Sequence, residues 1–432
     1  MWTSTSLVVG NMIGAGVFLM PAALASFGSV SLIGWVFSAI GCFFLARVFA
    51  NLSRMLPKAT GGPYAYTHHS LGNFAGFLIA WGYYISNACA NAAITVSLVS
   101  AMSTFFPVLA SNAPVAITVA LVALWFLTWV NTLGVLVSGR LQLVTVILKL
   151  TPLLVVSLGG LFFIRFQNFH PFNNTGGSTF SAITASASLT LFAFVGLESA
   201  TVPAGSVADA SKTISRATML GLFIATVVYI LSTVSLMGII PSDQLKRSVT
   251  PFADAAAMMW GNSARYWVSA GVAIAAFGAL NGWILIQGQV PYATAKDNLF
   301  PHVFARTNKK NVPYVGILVN GVLTSVFIWM NYSKALVEQY KFLLLLATLT
   351  TLVPYLFCTA AYIITKIEKT DLGSKGWFSA IILFILAFCY SLWAITGTGQ
   401  ETVYFGFILL MAGVPFYVLI IYRNKKSISH GK

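Results

Sequence analysis

GNMIGAGVFLMPAAL, from Gly10 to Leu24, and FAFVGLESATVPAGS, from Phe192 to Ser206, decide how this chain is read. Both lie in runs apolar enough to be helices. A shift of 182 residues lays Gly14 on Gly196, Pro21 on Pro203 and Ala22 on Ala204. Each run therefore has a glycine near its middle and a proline seven residues later. Glycine makes the helical state less favourable and proline removes a backbone donor, so each run is expected to be a broken helix. One such defect is an ordinary kink, and two unrelated kinks in a packed bundle are the bland alternative. Two at matched positions, five helices apart, instead mark the halves of a repeat. Unwound backbone is tolerated in lipid only where it lines a cavity or is buried in protein. Discontinuous helices at corresponding places in two halves point to a secondary-transporter binding site.

The composition agrees. Of 432 residues, 58% are hydrophobic and 8% charged, with a mean hydropathy of +0.85. A soluble domain carries about a quarter charged residues, so the chain is read as an all-α polytopic membrane protein. Apolar runs of about 20 residues occur near 3–26, 30–54, 73–105, 113–135, 141–165, 179–207, 216–240, 264–292, 313–332, 341–366, 376–397 and 401–422. These are twelve candidate spans, eleven to thirteen given ambiguous ends. The repeat implies a single transporter domain over 1–432. Spans 1–5 (1–165) and 6–10 (179–366) form its two halves, with spans 11 and 12 (376–422) added. The first run is too long for a signal-peptide core; whether residues precede Met1 is left open.

The net charge of +15 invites a nucleic-acid reading, which its distribution excludes. With the N-terminus cytoplasmic, seventeen Lys/Arg fall on the inner side, six on the outer side, and Lys149 inside a helix. This is the positive-inside pattern, and it puts both termini in the cytoplasm. The cysteines at 42, 89, 358 and 389 sit in apolar runs at no metal-ligand spacing and imply no disulfide. The five histidines map to loops or the tail without HExxH or a paired carboxylate, and no phosphate loop is present. No enzyme, metal or cofactor is expected. No channel filter or ring of like residues is visible either.

A broken helix offers specific chemistry. The half-helix after the first break presents amides, from Ala15 and Gly16, and the positive end of a dipole, which suit a carboxylate. The half-helix before the second break leaves carbonyls, from about Phe192, Ala193 and Phe194 to Val195, which suit an ammonium. Together they describe the α-amino acid group. Glu198 is alone among the nine acidic residues in lying inside a span. An intramembrane carboxylate is functional by default, suited to carrying a proton or holding a gate; capping unwound backbone is the structural alternative. Lys149 lies about eight residues into span 5. It can switch between neutral and charged forms, stand in permanently for a bound Na⁺, or snorkel. Trp283, with Asn281, Gln287 and Gln289 nearby, and Tyr83, Asn87 and Asn91, spaced by four on one helix face, are candidates to enclose a side chain.

The stretches GNMIGAGVFLMPA (10–22), GGPYAY (61–66), FAFVGLESA (192–200), LSTVSLMGIIP (231–241), GWILIQGQ (282–289), DNLFPHVFAR (297–306) and TLVPYL (351–356) resemble the amino acid–polyamine–organocation superfamily. The resemblance covers nearly the whole chain and is closest to its basic amino acid/polyamine antiporter branch, including the arginine/agmatine antiporters. It implies an inverted five-plus-five fold of leucine-transporter type and alternating access. It places Asn11, Ile13, Ala15 and Gly16 on the segment holding the substrate's α-groups. Tyr83, Asn91 and Glu198 fall on gating and side-chain positions, and Trp283 on the aromatic covering the aliphatic portion. Glu198 matches the acid that links substrate to proton. The departures are Phe192, where arginine/agmatine antiporters have a gating tryptophan, and Ser86, Asn87, Ile94 and Ala347, which differ from a guanidinium site. Lys149 resembles instead the fifth-helix lysine of proton-coupled amino acid transporters and of heteromeric-type exchangers, where it occupies the position of a sodium site. Amino acid exchange across a bacterial inner membrane is expected, with protons as the coupling partner. A symporter using Lys149 is the alternative, and a channel a distant one. The identity of the substrate and whether the chain forms a homodimer stay open.

Overall fold

Lipid has no water to satisfy backbone amides, so N–H and C=O groups must be bonded within the protein. The computed structural model does this with helices throughout. The residues described are 2–57, 59, 61–133, 148, 150–201, 210–330, 336–369 and 376–430, and among them no strand occurs.

The first span is α1 (Trp2–Met12) and α2 (Met20–Ala25), with a break between them. It is followed by α3 (Ser31–Met55), α4 (Pro63–Met102), α5 (Ala113–Thr132) and α6 (Leu150–Phe163). The sixth span begins with α7 (Thr179–Leu191) and the seventh is α8 (Ala210–Ile239). A loop helix, α9 (Pro251–Trp260), precedes α10 (Asn262–Gln287) and its continuation α11 (Gln289–Lys296). The chain closes with α12 (Tyr314–Met330), α13 (Leu336–Lys369), α14 (Trp377–Thr396), α15 (Gln400–Met411) and α16 (Gly413–His430).

Among the described residues, eight helices are long and apolar enough to cross a membrane, and three further apolar helices are shorter. With the broken first span, each of the twelve expected runs has its helical counterpart. Several boundaries move. The third span ends at Met102, not 105, and is preceded by a short helix from Pro63 that breaks at Gly72, where φ is 81°. His68 and His69 lie on that helix rather than in a loop. The tenth span is longer than expected, over Leu336–Lys369, and the last is interrupted at Ala412 and runs on to His430. The start of the fifth span lies outside the described residues.

Lipid tails are as apolar as leucine, so spans associate by close packing of small residues. A Cβ added at Gly271 of α10 would meet Pro152 of α6 at 2.9 Å, and one at Gly221 of α8 would meet Val8 of α1 at 2.6 Å. Large side chains such as Trp129, Phe223 and Phe378 are exposed and form the lipid-facing surface. Acidic residues at helix starts, Asp254 in α9, Glu338 in α13 and Glu401 in α15, sit at the positive ends of the helix dipoles. The centre of the bundle is α4, buried almost continuously from Gly76 to Ala101, against α13.

Candidate functional site

Both expected breaks are present, and they touch. In the first, the Ile13 amide still donates to the Val9 carbonyl at 2.8 Å, whereas that of Gly14 reaches only Met12, at 2.8 Å. Gly14 is extended (φ −90°, ψ 176°) and a 3₁₀ turn follows over Ala15–Phe18. Pro21 falls in the first turn of α2, where a missing N–H leaves no helical bond unmade. In the second, α7 ends at Leu191, a 3₁₀ turn covers Phe192–Phe194, and Val195 is extended (ψ 131°). Gly196 has φ 106°, a region that only glycine enters freely. Another 3₁₀ turn spans Ser199–Thr201; Pro203 lies outside the described residues. A Cβ on Gly196 would stand 3.3 Å from the Asn11 backbone carbon and Cβ. The two unwound segments are thus packed on each other.

Glu198 is fully buried and its carboxylate is held by three donors. The Tyr83 hydroxyl of α4 donates to Oε1 at 2.8 Å. The Tyr355 hydroxyl of α13 donates to Oε2 at 2.5 Å, and the Gly196 amide reaches the same oxygen at 3.2 Å. A buried carboxylate needs such partners. One side chain thereby joins the third span, the tenth span and the second break.

A small cavity lies where the breaks meet, lined among others by Asn11, Gly14, Ile94, Phe192, Ala193, Val195 and Trp283. Its volume is about 10 Å³, roughly one water and far too small for an amino acid. The site is shut on both sides. Beyond α2's entrance, Phe18 meets Phe252 of the loop helix α9 edge to face, with centroids 5.2 Å apart, and Ser100 of α4 donates to the Val249 carbonyl. Four crossings lie between the first and sixth spans, which therefore run in opposite directions. Glu198, two residues past Gly196, is packed against the second break through the Gly196 amide. The conformation is occluded.

The structure brings most of the expected site residues together but gives several of them other partners. Asn11, Phe192, Ala193, Val195 and Trp283 line the cavity. Ile13 is buried, and Ala15 and Gly16 open the 3₁₀ turn. Asn91 points to α10, where its Nδ2 donates to Gln287 Oε1 at 2.6 Å while Gln287 donates to the Ile317 carbonyl at 3.2 Å. Asn87 Nδ2 and Asn11 Nδ2 are buried without a protein partner among the described residues; of the two, Asn11 lines the cavity. The expectation of open carbonyls over Phe192–Val195 needs correcting. Phe192 and Phe194 accept the amides of Val195 and Leu197, at 3.0 and 3.2 Å, and Ala193 accepts the Tyr229 hydroxyl at 2.9 Å. The turn has closed on itself, leaving each of those oxygens its second lone pair. Lys149 lies outside the described residues.

Two residues were missed. Tyr355 follows Pro354 inside α13, and a proline in a helix interior was the available signal, since it frees a carbonyl and bends the helix. Tyr229 braces the second break from α8, its ring 5.2 Å from Trp35 and 5.6 Å from Phe194. A tyrosine in an apolar run gives no such signal.

The family model described as amino acid permease matches residues 1–421. A protein of Bacillus subtilis (strain 168), provisionally named an arginine/ornithine antiporter, is 32% identical over 98% of this chain and 95% of its own length. The cadaverine/lysine antiporter of Escherichia coli (strain K12) is 34% identical, covering 96% of this chain and 94% of that one. The putrescine transporter PotE of the same strain is 30% identical, over 99% and 97%. The family model's match includes both breaks, and the chain belongs to the amino acid permease family of the amino acid–polyamine–organocation superfamily.

Proposed function

We propose that this chain exchanges a basic amino acid for a related amino acid or amine by alternating access, in a bacterial inner membrane with both termini cytoplasmic. The observation that carries the reading is Glu198. It is a buried carboxylate at the second break, tied to the first break through Gly196 and Asn11 and to the scaffold through Tyr83 and Tyr355. The names of the relatives, two of them antiporters of basic amino acids, support exchange. Symport through Lys149 is not favoured by them.

The substrate's α-carboxylate is taken by the amides of Ala15 and Gly16 and its α-ammonium by the carbonyls of the second break. Asn11 and Asn87 supply polar partners, and Phe192 and Trp283 cover the aliphatic part. A cation entering beside Glu198 competes with its tyrosine donors, which loosens the tenth span and opens the inner side. A proton arriving at Glu198 does the same for a neutral form, which links exchange to pH. The matched breaks support residues 1–165 and 179–366 as inverted halves moving against each other, with 376–422 added. Proteoliposomes loaded with unlabelled lysine, arginine, ornithine, cadaverine or putrescine test this. Labelled basic substrate is expected to enter loaded vesicles and not empty ones. Equal entry into empty vesicles driven by an inward proton gradient would overturn exchange in favour of symport.

A further inference from the structure

A second cavity of about 570 Å³ opens between α3, α13 and α14, on the side of the molecule where lysine and arginine are concentrated. Among the described residues its polar wall carries Arg47, Arg54 and Lys366 and no carboxylate. Among the described residues none of the three is within 4.0 Å of an acidic group. Arg54 is positioned by the Ser215 hydroxyl at 2.7 Å, and the Arg47 guanidinium lies 5.6 Å from the centroid of the Phe43 ring. The other walls are apolar, and Phe43, Ile382 and Leu386 are each 41% exposed. The cavity is therefore a cationic notch at the head of a groove that faces the bilayer.

We propose that this notch binds one anionic phospholipid, its phosphate against Arg47, Arg54 and Lys366 and its acyl chains along Phe43, Ile382 and Leu386. Three cations that no described carboxylate neutralises attract an anion at the membrane surface, and basic pockets between spans on this side suit lipid headgroups. A soluble phosphate would satisfy the cations but leave the outward apolar groove unfilled. A cationic substrate is repelled, so the notch is independent of the central site and of the exchange reading. The α13 helix carries Lys366 at one end of the site and Tyr355, the partner of Glu198, three turns away. A lipid seated there acts on the helix that must move for the inner side to open.

Native mass spectrometry of the purified full-length protein tests this, with phosphatidylglycerol or phosphatidylcholine added at equal concentration. Phosphatidylglycerol is expected to be retained preferentially. The double variant Arg47→Gln/Lys366→Gln is expected to weaken that retention about tenfold or more, with phosphatidylcholine unaffected. Ser379→Trp, which fills the cavity without changing charge, is expected to lose the same adduct, so that a folding defect of the double variant does not decide the matter. Equal retention of both lipids, or retention unchanged in both variants, overturns the proposal. So does an adduct of inorganic phosphate alone that the double variant removes, since the ligand is then a soluble anion. A doubled protein mass abolished by Ser379→Trp overturns it too, by assigning the groove to a second copy.

Discussion

Glu198 accepts from Tyr83, Tyr355 and Gly196 at once. Glu198→Gln keeps the shape but turns one oxygen into an NH₂ group, so at least one donor loses its partner. Hydrogen bonds to charged groups contribute about 1.5–3 kcal/mol each, and exchange by Glu198→Gln is expected to fall at least about tenfold and to lose its pH dependence. Exchange in proteoliposomes across a pH series reads both; a variant with the parent's rate and pH profile would remove Glu198 from the mechanism. Tyr83→Phe and Tyr355→Phe each delete one bond to the same carboxylate. Their effects are expected to be non-additive, because groups in one network are coupled. Rates that simply multiply in Tyr83→Phe/Tyr355→Phe would show that the two hydroxyls act separately.

At the scale of the element, the breaks are built into the backbone. Gly196 has φ 106° and its missing Cβ leaves room for Asn11. Gly196→Ala imposes left-handed strain, about 1–3 kcal/mol, and pushes the two segments apart. The variant is expected to reach the membrane in normal amount and to lose exchange; full activity would mean that the breaks need not touch. Gly271→Ala is a different case. Its Cβ meets the rigid Pro152 ring at 2.9 Å, far from the cavity, so overpacking costs about 1–3 kcal/mol. A lowered melting temperature in detergent with residual exchange is expected. An unchanged melting temperature would show that α6 yields at Pro152.

Across the whole molecule, the occluded state depends on covers drawn from distant parts of the chain. Phe252 of α9 lies over Phe18 of the first span, and Ser97 lines the space beside them. In a Cys389→Ser background, Ser97→Cys is expected to react slowly with a membrane-impermeant thiol reagent, and several-fold faster once Phe252→Ala is added. Equal rates would assign the cover to other residues. The charge asymmetry makes a further prediction at this scale: a tag after Lys432 is expected to be reached by antibody only after the inner membrane is permeabilised.

The sequence by itself determined the class of fold, the approximate places of the spans, the two breaks and the singular position of Glu198. Lipid makes these legible, because it demands long unbroken apolar runs and makes every glycine–proline interruption and every intramembrane charge an exception. Tertiary structure alone decided what those exceptions touch. Tyr355 lies 157 residues from Glu198, and Gln287 lies 196 residues from Asn91. A tyrosine or an amide in an apolar run looks the same whether it faces a cavity, a carboxylate or another helix. Its partner depends on how the spans rotate and pack, and that follows from the close approach of small residues on several helices at once. The same packing set the Tyr229 hydroxyl on the Ala193 carbonyl and Arg47, Arg54 and Lys366 around one notch. Neither arrangement is written in local sequence, because each requires residues that only the folded bundle brings within a few ångströms.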